Sequence, residues 1–228
     1  GEAFFTASCF VLQIPIGLLV DKIGKKRSLV IANICMFLFS FILLIIQNFN
    51  QLLIGYFIDA IGYVLRTVCE TNILYDSLPI GKRRGNLYSE IDGIGASRYY
   101  VVDAITSLIA GYAFVLNPYL PIIFCFIANI ISTILATRFR SIKLQNEQVE
   151  VKEGVREYFR QLGEAIRFTK KSKRIFCLLL YFGLVSGLIY NLTTFRSSVL
   201  EGISIPEHYF GIIFAISQMV AAICAKAQ

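Results

Sequence analysis

Gly17-Leu18-Leu19-Val20-Asp21-Lys22-Ile23-Gly24-Lys25-Lys26-Arg27-Ser28-Leu29 is a short charged turn set between two long apolar runs. Asp21 stands where the first run ends. Gly24 has no Cβ and so permits a sharp reversal of the chain. Lys22, Lys25, Lys26 and Arg27 place four cations within six residues. Such a turn acquires meaning only from what flanks it, and on both sides the flanks are long, uniform and uncharged.

The 228 residues are 56% hydrophobic and only 16% charged, with a mean hydropathy of +0.66. Soluble domains average roughly 45–50% apolar and about 25% charged residues. About 20 apolar residues in a helix cross a hydrocarbon core roughly 30 Å thick. Seven runs approach or exceed that length, at about 3–20, 28–47, 51–76, 96–116, 119–137, 175–195 and 208–225. Backbone polar groups in lipid must be satisfied within the segment, so the runs are expected to be helices. They lack the alternation of barrel strands and the polar faces of a soluble helical protein. The expected fold class is therefore all-α, a polytopic membrane protein of about seven transmembrane helices.

The net charge of +7 does not point to nucleic acid, because the cations flank spans and form no aromatic-interleaved patch. The six cysteines lie inside apolar runs without metal-site spacing and are expected to be buried thiols. No catalytic constellation, nucleotide-binding motif or metal cluster is visible. An enzyme, a bound cofactor and ATP as the energy source are not expected.

The connections alternate in chemistry. The first holds the four cations. The third holds Lys82, Arg83 and Arg84, with Arg98 behind them. The fifth is long and basic, from Arg138 to Arg174. The second (Gln47–Asn50) and the fourth (Asn117–Pro121) hold no charge, and the sixth holds the cation Arg196. Basic loops mark the cytoplasmic face, which gives one topology for all seven spans in a plasma membrane. Three regions follow: a first bundle over 1–140, a linker over 141–174 and a second bundle over 175–228. Within the linker Val155, Tyr158, Phe159, Leu162, Ile166 and Phe168 recur at mostly helical spacing against Arg156, Arg160, Glu164 and Arg167. This reads as an amphipathic helix at the membrane surface, either bracing two bundles or held to anionic lipid by its charge. His208 is the one histidine and is expected at the surface.

At this point the opening stretch carries a resemblance. Gly17-x-Leu19-x-Asp21-Lys22-x-Gly24-Lys25-Lys26 resembles the signature loop of the major facilitator superfamily, which joins the second and third of that family's twelve helices. The chain would then span roughly the second to eighth helices. It is expected to be a piece of a longer protein, since it has no initiator methionine and stops as a span finishes. The resemblance implies two helical bundles rocking about a central site. The implied activity is secondary active transport of a small solute by alternating access, with protons as a candidate coupling ion. The stretch Gly95–Gly111 lacks the glycine- and proline-rich pattern of many drug–proton antiporters. Drug efflux stays open as an alternative without that marker. Outside transport, a transporter-like receptor or an inactive truncated product is the rival.

Candidate functional residues fall in two groups. Gly17, Asp21, Lys22, Gly24, Lys25 and Lys26 form a conformational gate loop, in which Asp21 can meet a helix N-terminus or a cation in one state and lose it in the other. The plain alternative is topology, with cations holding the loop inside. The second group is intramembrane. Asp59, Arg66 and Glu70 share a face of the third span by their spacing, and Arg66 and Glu70 can pair at i,i+4. Gly62 on the same side allows a neighbour to approach. Asp103, Asn129 and Asn191 follow in later spans. A central charge costs roughly 2.5–3.5 kcal/mol on insertion scales, so these residues form either a substrate or proton site or a static network holding helices in register. The expected partners are a small-molecule substrate and the lipid bilayer.

Overall fold

In the computed structural model, residues 1–79, 81, 83–138, 160, 163–164, 167–169, 171–206 and 209–226 are described. They form seven long helices: α1 (Glu2–Ile23), α2 (Lys25–Ile45), α3 (Phe49–Asp76), α4 (Arg84–Leu116), α5 (Leu120–Arg138), α6 (Lys173–Gly202) and α7 (Phe210–Lys226). The first six are long and apolar enough to cross a membrane, while α7 is an apolar helix of 17 residues. The architecture is all-α and polytopic. Val155, Tyr158, Phe159, Leu162, Ile166, Lys82 and His208 lie outside the described residues.

The chain divides into two compact units, Gly1–Glu147 with Gly211–Gln228, and Gln148–Phe210. The first holds α1 to α5 and α7; the second holds α6. No residue of α6 is buried.

The first unit is built around α3. Ile16 and Val20 of α1, Ala32 of α2, and Val64, Leu65 and Cys69 of α3 make its buried core. Lipid tails are as apolar as these side chains, so close packing and polar contacts hold the helices together more than transfer from water does. Small residues set the spacing. A Cβ added at Gly62 would stand 3.0 Å from Ala32 O and 3.0 Å from Cys35 Cβ. A second close crossing joins α4 to α7, where a Cβ on Gly211 would lie 2.8 Å from Ser107 O. Ser97 Oγ donates to Ala222 O at 2.9 Å on the same seam.

A polar ladder ties α2 to α5. Ser132 Oγ donates to Asn33 Oδ1 at 2.6 Å, and Asn129 Nδ2 donates to Ser40 Oγ at 2.7 Å. Hydrogen bonds of this kind between membrane helices are worth about 0.6 kcal/mol on average.

Two expectations need correction. The fourth helix begins at Arg84, not near residue 96. Its first turns are polar, and hydropathy registers only the apolar part of a longer helix. The cysteines are not uniformly buried: Cys69 is, Cys9 and Cys35 are partly so, and Cys125, Cys177 and Cys224 are exposed. In a membrane helix an apolar position can face lipid as well as protein, so membership of an apolar run does not predict burial against other helices.

The reversal between α1 and α2 is made at Gly24, with φ 91° and ψ 144°. Its N–H donates to Val20 O at 2.9 Å, and its own carbonyl accepts from Ser28 N at 3.1 Å. Nothing lies within 4 Å of a Cβ added there. Gly24→Ala is therefore expected to destabilise through backbone strain alone, by about 1–3 kcal/mol, in reversible unfolding in mixed micelles. Gly62→Ala meets backbone instead and should loosen α3 from α2 in cross-linking between the two helices.

Candidate functional site

Apart from Lys22, a cation in the last turn of α1, the charges around Gly24 run against the local helix fields. Asp21 lies in the last turn of α1, where the macrodipole disfavours an anion. Lys25, Lys26 and Arg27 open α2, where it disfavours cations. Each misplacement is worth about 0.3–1 kcal/mol. Contacts from elsewhere in the chain must offset this, and one set is visible. Lys25 Nζ pairs with Asp76 Oδ2 at the C-terminus of α3. Arg84, at the start of α4, approaches Asp76 Oδ1 at 3.9 Å. The Arg84 guanidinium donates through Nη2 and Nε to Tyr75 O at 2.6 and 3.2 Å. It also lies 4.0 Å from the centroid of the Tyr75 ring. The α1–α2 turn, the end of α3 and the start of α4 thus meet at the basic end of the bundle.

Asp76 and Arg84 were not among the residues singled out as functional. The signal available was an acid closing an apolar run opposite a cationic turn. Of the gate-loop residues, Lys25 enters this cluster, and Gly24 makes the turn beneath it. Asp21 and Lys22 are exposed, and neither has an ion-pair partner among the described residues.

The second group is divided by the fold. Arg66 Nε donates to Glu70 Oε1 at 2.6 Å, with the two side chains 46% and 54% exposed. The pair forms one wall of a cleft of about 210 Å³. The facing walls are Leu29 and Asn33 of α2, and Ser132, Leu135 and Ala136 of α5. Asn33 and Ser132, which sequence reading missed, bring an amide and a hydroxyl beside the ion pair. Uniform apolar runs carry no mark of the helix rotation that selects them. Asp59 is half-buried, within electrostatic reach of Glu2 and Cys9 on α1 and of Cys35 on α2. Asp103 on α4 is half-buried, and Tyr99 lies within electrostatic reach of both it and Arg66. Asn129 gives its amide to α2 at Ser40 and Met36. Asn191 belongs to the other unit, where its amide donates to Gly187 O of its own helix at 2.8 Å.

The family model of the Major Facilitator Superfamily matches residues 3–227. No curated protein and no solved structure matches the chain.

Lys25 and Asp76 are each about one-third exposed, so their pairing is a contact of surface strength, worth about 0.2–1 kcal/mol. A double-mutant cycle of Lys25→Gln and Asp76→Asn should return a coupling in that range. The exchanged pair Lys25→Asp with Asp76→Lys should recover most of it. Unfolding midpoints of the four proteins in one detergent check both statements.

Proposed function

The chain belongs to the Major Facilitator Superfamily, and we propose that it moves a small solute across the plasma membrane by alternating access as a secondary active transporter. Membership makes it a multi-pass membrane transporter. Substrate, direction and coupling are the proposed part. The basic end is assigned to the cytoplasm by the excess of lysine and arginine in its loops.

The observation that carries the reading is the contact of Lys25 with Asp76 and its neighbour Arg84. It joins the helical hairpin α1–α2 to the α3–α4 connection at one end of the bundle. A gate must hold in one state and release in the other, so its contacts must differ in free energy between states without being too strong to break. A partly exposed ion pair has that strength, whereas a buried one leaves uncompensated charge when it opens and costs about 3–5 kcal/mol. The local field at the end of α1 disfavours Asp21, and we assign it a cation or helix N-terminus that it meets in only one state.

Arg66 and Glu70 are the proposed substrate contacts, with Glu70, Asp59 and Asp103 as carboxylates able to bind a coupling proton. Their support is intramembrane position, since ionisable residues there mark substrate or ion pathways.

The test is solute exchange by the complete protein in liposomes loaded with a pooled small-solute extract. The protein should accelerate loss of specific solutes when the same solutes are supplied outside. Saturable binding without any exchange would overturn transport in favour of a receptor. Asp21→Asn should insert to the same level and slow exchange at least tenfold; an unchanged rate would remove Asp21 from the gate.

A further inference from the structure

We propose that the cleft between α2, α3 and α5 takes a small zwitterion, with an oxyanion on Arg66 and a primary ammonium on Glu70. This assignment rests on the reading of Arg66 and Glu70 as ligand contacts and gives that ligand a chemical class. Four observations converge on it.

First, the charges are opposite and adjacent. Arg66 Nε and Glu70 Oε1 are 2.6 Å apart, and both side chains are about half exposed on the cleft wall. Second, each has capacity to spare. A guanidinium carries five N–H donors. Among the described contacts, Arg66 uses Nε on Glu70 and turns Nη1 toward Met36 Sδ at 4.0 Å. Glu70 is engaged through Oε1, which leaves Oε2 to accept from an ammonium.

Third, the balance of charge selects among ligands. The Arg66–Glu70 pair has no net charge. A lone anion or a lone cation entering between apolar helices would leave one uncompensated charge, and such charges are costly there. A zwitterion laid along the pair matches both groups and leaves the sum at zero. Fourth, the cleft is small. About 210 Å³ lies below the 300–1,000 Å³ typical of sites for drug-sized ligands. Leu29, Leu135 and Ala136 offer apolar contact to a short aliphatic group, while Asn33 and Ser132, hydrogen-bonded to each other and through the Asn33 amide to Leu29 O, close the wall beside the charges.

This chemistry has two sources: a free α-amino acid, or the headgroup of an ethanolamine phospholipid. Both are tested on the complete protein in nanodiscs. In the soluble arm, made in phosphatidylcholine, L-leucine is compared by calorimetry and thermal shift with L-leucinamide, which lacks the carboxylate, and with 4-methylpentanoate, which lacks the ammonium. L-leucine should bind, and each analogue should bind at least tenfold more weakly. In the lipid arm, phosphatidylethanolamine replaces phosphatidylcholine and should raise the unfolding midpoint if the headgroup is the ligand.

Glu70→Gln and Arg66→Gln should each abolish the effect in whichever arm shows it. Because a single variant leaves one charge unpaired, the neutral double variant Arg66→Gln/Glu70→Gln is carried as a folded control and should also lose it. An effect in either arm that depends on both residues supports the zwitterion and names its source. No effect in both arms, or equal binding of L-leucine and its analogues, overturns it. If that happens while liposome exchange persists, the ligand class falls and the transport reading stands. Binding without exchange supports the ligand class and overturns transport.

Discussion

The seating of α3 against the α1–α2 hairpin is the interaction on which the rest of the first unit depends. Leu65 and Cys69 are buried against Val20 and Ala32, and Gly62 lets the backbones of α2 and α3 come close. In a bilayer this seam cannot rely on the transfer of apolar surface out of water, because lipid offers the same environment. Its register therefore has to come from shape and from polar contacts. Gly62 fixes the approach in the middle of α3, and the Asp76 contact with Lys25 fixes its basic end. With those two points set, Arg66 and Glu70 lie between them on the side that faces Asn33 and Ser132.

The α1–α2 turn shows how a local cost can serve a larger arrangement. An acid at the end of one helix and three cations at the start of the next are both wrong for helix dipoles. If helix stability were the only requirement, the signs would be reversed. Lys25 recovers part of the cost through Asp76. Only Gly24 among neighbouring residues could make the turn, since its backbone adopts a conformation that a side chain disfavours. The turn is thus cheap in sterics and costly in electrostatics, and the two demands fall on different residues.

Fold class was legible in the sequence because the membrane imposes it. Runs of about 20 apolar residues admit one spanning structure here. The start of α4 was not legible, since its first turns from Arg84 are polar and hydropathy has no signal for helix outside the apolar layer. The i,i+4 pair Arg66–Glu70 could be read because both partners lie on one helix. Its neighbours Asn33 and Ser132 could not, because they come from α2 and α5. Asn129 shows the same gap from the other side. As a polar residue in a span it reads like a site residue, and its amide is given to Ser40 across the α2–α5 ladder.

The cleft and the basic-end contact are two parts of one seam. Asp76 lies six residues beyond Glu70 on α3, about 9 Å along a helix that rises 1.5 Å per residue. Lys25 lies eight residues before Asn33 on α2, about 12 Å by the same rise. A displacement of α3 against α2 that widens the cleft also changes the separation of Lys25 from Asp76. Linkage then works in both directions. A ligand that binds one spacing of the two helices more tightly shifts the ion pair by the same free energy by which the ion pair shifts the ligand. A contact worth about 0.2–1 kcal/mol can therefore change affinity in the cleft by at most a few-fold. Larger coupling has to be shared with the packed contacts around Gly62 and Leu65, which change in the same displacement.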